Sequence, residues 1–91
     1  MALERRILTF SGHVQGVGFR FSACRAAEGH DVTGYVRNLP DGGVEIVIEG
    51  DRDEIQHFVD DVRSRMHGYI RKVSQQSAPH QNAFRGFGVR Y

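Results

Sequence analysis

The 91-residue chain carries twelve Lys and Arg against eleven Asp and Glu, a net charge of +1, and a single cysteine. Its pI of 8.0 falls short of the basic character, pI above about 9, of proteins held to nucleic acid by phosphate neutralisation, so no nucleic-acid partner is expected. Cys24 alone cannot form an intrachain disulfide, no apolar run is long enough to span a bilayer, and the length fits one domain over residues 1–91.

Arg6 to Gly12 reads as a first strand, with Leu8 and Phe10 on one face and Thr9 on the other. A glycine-rich loop, Gly12-His13-Val14-Gln15-Gly16-Val17-Gly18, follows it. Phe21, Cys24 and Ala27 recur every three residues, which predicts a short helix over Phe19–Glu28 with these three on its buried stripe and Gly29 at its end. An inert, buried thiol is the expected state of Cys24. Val32 to Asn38 has strand composition, and Leu39-Pro40-Asp41-Gly42-Gly43 is a turn. Val44, Ile46 and Ile48 alternate with Glu45 and Glu49, completing a hairpin.

Ile55, Phe58, Val59, Val62 and Met66 mark a second helix, capped by Asp51 with Glu54 as a capping-box partner and stopped near Gly68. Ile70 to Val73 and Phe84 to Tyr91 read as the remaining strands, with Phe87 and Tyr91 packing the terminal one. The order predicts an α+β fold: a ferredoxin-like βαββαβ sandwich, an antiparallel sheet with two helices on one face. That architecture serves many unrelated activities and decides nothing about function.

The loops carry the chemistry. Three glycines within seven residues, between a strand and a helix, can turn successive N–H groups inward around an anion. The helix N-terminus adds partial positive charge there, and Arg20 adds a planar fork suited to two phosphate oxygens. The loop ends in Gly18-Phe19-Arg20, not Gly-Lys-Ser/Thr, so it is not a Walker loop, and Phe21 stands where a dinucleotide fingerprint needs glycine. A plain tight turn, with Arg20 paired to a surface carboxylate, fits the loop equally well. Asn38 closes its strand just before the turn, where Asn commonly bonds nearby backbone.

Gly12-His13-Val14-Gln15-Gly16-Val17-Gly18-Phe19-Arg20 resembles the first signature of the acylphosphatase family, and Gly34-Tyr35-Val36-Arg37-Asn38 followed by Asp41-Gly42 resembles the second. The resemblance covers essentially the whole chain. It implies hydrolysis of small acyl phosphates to carboxylate and inorganic phosphate, with no metal and no cofactor. Arg20 and the loop residues Val14, Gln15, Gly16, Val17, Gly18 and Phe19 would hold the phosphoryl group, and Asn38 would orient the attacking water. Inorganic phosphate is then both product and inhibitor, and a cytoplasmic monomer without membrane contact is expected. The segment His30-Asp31-Val32-Thr33, the turn Gly68-Tyr69-Ile70 and the aromatic Tyr35 depart from the usual family pattern without touching a signature position of either site residue.

Two other readings use the same residues. The signature also suits a non-catalytic phosphate-binding module akin to carbamoyl-phosphate-processing domains, although a chain ending at residue 91 favours a free enzyme. Arg85-Gly86-Phe87-Gly88-Val89-Arg90-Tyr91 resembles an RNA-binding strand motif but is one residue short, with Val89 where a stacking aromatic belongs. The five histidines lack metal-ligand spacing, and His57 with Asp61 reads as a surface pair four residues apart.

Overall fold

The computed structural model describes residues 2–91. Its elements are β1 (Leu3–Gly12), α1 (Phe19–Glu28), β2 (Val32–Asn38), β3 (Val44–Asp51), α2 (Arg52–Arg65), β4 (Ile70–Ala78) and β5 (Phe87–Val89). The strands form one sheet in the order β4-β1-β3-β2-β5. The first four are antiparallel, as a ferredoxin-like sandwich requires. The short β5 adds a parallel edge to β2, with Gly34 opposite Phe87, so the complete sheet is mixed.

Period-two alternation decides which face of the sheet the helices cover. Leu8 and Phe10 of β1, Val36 of β2 and Val44, Ile46 and Ile48 of β3 are fully buried under the helices. From α2, Ile55, Phe58, Val59 and Val62 descend onto them at helical spacing. Asp51 caps α2 as expected, its carboxylate accepting from Asp53 N at 3.1 Å. The capping box does not form, because the Glu54 carboxylate accepts from Asp31 N at 2.8 Å instead, tying α2 to the start of β2. The helix ends at Arg65, and Gly68 reverses the chain two residues past the Met66 C-cap at a φ of +94°. His57 lies 3.7 Å from Glu54, while Asp61 pairs with His30 at 3.3 Å and Arg65 at 2.8 Å, so the expected His57–Asp61 pair is absent.

Helix α1 is turned away from its expected stripe. Its buried residues are Phe19, Ala23, Ala26 and Ala27, spaced four, three and one apart, and Phe21 is 70% exposed. Cys24 is half-buried rather than enclosed. Phe19 wins the core position because its ring lies 5.0 Å from that of Phe10, which fixes the helix phase.

The sheet's other face is partly covered by the segment leading into β5. Glu49, 1% exposed, accepts from Gln81 N at 2.7 Å and Ala83 N at 3.0 Å, and pairs with Arg5 at 2.9 Å. The Arg5 guanidinium lies 5.2 Å from the Phe84 ring centroid, and Arg90 lies 3.9 Å from that of Tyr35. Phe87 packs on Phe58 with ring centroids 5.5 Å apart, as expected. Tyr91 does not pack the terminal strand; it is 98% exposed.

Candidate active site

The loop between β1 and α1 is pinned by its apolar residues. Val14 and Phe19 are buried in the core, and Val17 packs against it. Between them Gly16 and Gly18 take φ of +76° and +80°, a region L side chains enter only with strain. Gly18 is the N-cap of α1 and accepts from Ser22 N at 2.9 Å. No side chain caps this helix and no acid stands in its first turn, so the N-terminal N–H donors keep their capacity for an anion.

Arg20, the second residue of α1, makes no ion pair with a carboxylate among the described residues. Its guanidinium carbon lies 5.5 Å from the Tyr91 ring centroid. That removes the reading in which Arg20 merely satisfies a surface acid. Asn38 ends β2 opposite Val44. The following turn is closed by Leu39 N donating to Gly43 O at 2.8 Å and by Asp41 Oδ1 accepting from Gly43 N at 2.9 Å. Asp41 thus performs the turn bonding expected of Asn38, whose side-chain amide has no bond to the turn among the described residues.

Arg20 and Asn38 border one open cleft of about 390 Å³, together with Val14, Gly16, Gly18 and Phe19. The two remaining loop candidates lie outside its lining. Val17 faces the core, and Gln15 turns its side chain to the β2–β3 turn, donating from Nε2 to Leu39 O and Gly43 O at 2.8 Å each. That brace joins the loop carrying Arg20 to the strand end carrying Asn38.

Sequence reasoning missed the cleft's apolar side, made by Phe21, Cys24, Val89 and Tyr91. Phe19 and Ala23 stand at an i, i+4 interval; taking that pair as the buried stripe puts Phe21 outside. Burial, then the nearby Glu28 carboxylate, pushes the Cys24 thiol up from its ordinary value, so it stays protonated and a poor nucleophile. The cleft lining contains no Asp, Glu or His side chain, and among the described residues no three His, Cys, Asp or Glu gather to hold a metal ion. No helix is long and apolar enough to cross a membrane.

The chain is similar to known proteins over most of its length. The acylphosphatase family model matches residues 6–89. An acylphosphatase of Caldanaerobacter subterraneus subsp. tengcongensis is 32% identical over 83 residues, covering 90% of this chain and 92% of its own. The crystal structure of acylphosphatase from Bacillus subtilis superposes with a TM-score of 0.85 at 32% identity, over 98% of this chain and 99% of that one. The fold also occurs within T. kodakarensis HypF, at 34% identity and a TM-score of 0.75, where the match spans 99% of this chain but 12% of that protein. With the family match spanning nearly its whole length and a relative of that name aligned over most of both chains, the chain belongs to the acylphosphatase family, hydrolases of acyl phosphates.

Proposed function

We infer that this chain hydrolyses acyl phosphates without a metal, as a monomer, using Arg20 and the loop amides to hold the phosphoryl group and Asn38 to orient water. The observation that carries the reading is Arg20, without an ion pair among the described residues, beside a helix N-terminus that no side chain caps, in one cleft with Asn38, whose turn bonding Asp41 performs instead.

The reaction is RCO–OPO₃²⁻ + H₂O → RCOO⁻ + H₂PO₄⁻. Water oxygen bonds to phosphorus, the bond from phosphorus to the acyl oxygen breaks, and that oxygen leaves as carboxylate. A carboxylic acid has a pKa of roughly 4, so the leaving group departs at neutral pH without a proton donor. The water's protons remain on the phosphate product. Because the transition state is largely dissociative, the water needs placement more than deprotonation. Charge on the equatorial oxygens is met by the guanidinium fork and by N–H donors fixed before reaction. A cleft lining without His, Asp or Glu therefore suits this chemistry.

The test is phosphate release from benzoyl and acetyl phosphate under excess chelator, by wild type and Asn38→Ala. We expect chelator-resistant turnover, and a kcat lowered on the order of 10²–10³ in the variant with phosphate inhibition nearly retained. A folded wild type without turnover would leave a phosphate-binding module in its place.

A further inference from the structure

We propose that the cleft selects its substrate by the acyl group, with Phe21, Val89 and Tyr91 forming a subsite for aromatic or branched apolar acyl chains. The inference rests on the phosphoryl assignment above and names the class of compound that would fill the rest of the cleft.

Among the described residues, five large apolar side chains are well exposed: Leu3, Phe21, Tyr69, Val89 and Tyr91. Three of these five border this one cleft. Scattered exposed apolar residues are ordinary, but their gathering beside a polar anchor is the pattern of a ligand pocket. The cleft is divided chemically. Gly16, Gly18, Arg20 and Asn38 give it a polar end, while Phe21, Cys24, Val89 and Tyr91 give it an apolar wall. A phosphoryl group held by the first set leaves the second set facing the acyl group joined to it.

The local fold explains why Phe21 stands there. With Phe19 and Ala23 fixed in the core, the residue two positions after Phe19 must leave the buried stripe. Val89 reaches the same wall from another element, because β5 pairs parallel with β2 and brings Val89 opposite Val36. The subsite thus joins α1 to the edge strand. Its charge also selects. Arg20 is the only cation in the lining, so an acyl group bearing a second carboxylate would find no second partner there. In this open cleft such a charge stays in water and gains no contact, whereas an apolar acyl group gains from covering the exposed Phe21 and Val89 side chains.

The decisive experiment uses wild type, Phe21→Ala and Phe21→Leu, with two readouts. The first is the ratio of kcat/KM for benzoyl phosphate to that for acetyl phosphate. The second is the ratio of affinities for phenylphosphonate and methylphosphonate, which needs no turnover. We expect both ratios to fall about tenfold in Phe21→Ala and to return most of the way in Phe21→Leu. Equal affinity for the two phosphonates in wild type, or ratios unmoved by Phe21→Ala, would overturn the subsite. A phenyl preference that Phe21→Ala removes, in a protein that turns over neither acyl phosphate, would keep the subsite and reject the hydrolytic reading.

Discussion

The Gln15 side-chain amide donates to the Gly43 carbonyl at 2.8 Å, across 28 residues of sequence. The same nitrogen also reaches Leu39 O, so a single side chain spans the phosphoryl loop and the turn that follows Asn38. A residue that resemblance assigns to phosphate binding is, in its side chain, the brace between the two halves of the site. Gln15→Ala should therefore remove two hydrogen bonds across the site, although Leu39 N still reaches Gly43 O and Gly42 N still reaches Leu39 O, and let the loop and strand end drift apart. We expect a stability loss of about 1–2 kcal/mol and a reduced kcat/KM. Urea denaturation and phosphate-release assays check this, and a variant with unchanged activity would refute the brace.

Arg20→Ala should abolish both turnover and inhibition by inorganic phosphate, because the cleft lining holds no other cation. Arg20→Lys keeps the charge but loses the planar fork, so it should recover phosphate inhibition only in part. Inhibition constants for phosphate across the three proteins give the answer. Equal values in wild type and Arg20→Ala would remove Arg20 from the site.

Gly34 belongs to the second signature but touches no substrate-facing group in the cleft lining. A Cβ there would lie 1.9 Å from Val47 O, at a φ of +151°. Gly34→Ala must push β2 off β3 in the middle of the sheet. The expected cost is about 3 kcal/mol, combining a steric clash with backbone strain. Thermal unfolding measures it, and a Tm within a degree of wild type would contradict the close approach.

Glu49 gives the chain an acid-sensitive joint. Burial alone would push its carboxyl up, but bonds from Ala83 N, Gln81 N and Arg5 outweigh that and hold it below the ordinary carboxylate value. Its folded pKa is depressed, so its contribution is fully present above the unfolded value of roughly 4.3 and disappears as pH falls through the folded one. Stability should therefore decline in that acid range, and Glu49→Gln should flatten this decline while lowering stability at pH 7. Urea midpoints between pH 7 and 3 test the pair. Parallel acid limbs in both proteins would mean that Glu49 contributes nothing to the slope.

Where local chemistry dominates, the sequence was readable. The bounds of α1 and β2, the Asp51 cap and the inward face of β3 at Val44, Ile46 and Ile48 follow from caps, period and turn residues, although the opposite face of β3 is buried too, at Val47 and Glu49. The misses share one cause, since each was decided by a distant partner. Phe21 was exposed by the contact of Phe19 with Phe10, and Glu54 was diverted from its capping box by Asp31 N. β4 runs on to Ala78 because β1 offers it a ladder as far as Arg5. β5 shrinks to Phe87–Val89, where β2 pairs with it. Of the candidate site, the polar pair Arg20 and Asn38 was legible through resemblance. The apolar wall was not, because Val89 and Tyr91 come to the cleft only through that edge pairing.

On this sheet only β2 and β3 are neighbours both along the chain and in space. Every other pairing joins distant segments, as in the register that sets Phe10 against Val73. Closing such long loops loses chain entropy before the new contacts compensate for it. Refolding therefore belongs at the slow end for a chain of this size, roughly milliseconds to seconds. The cleft inherits that order: Arg20 and Asn38 can share a pocket with Val89 only after the sheet's far edge has closed. Catalytic competence should consequently be among the last properties the chain regains on refolding, behind helix content.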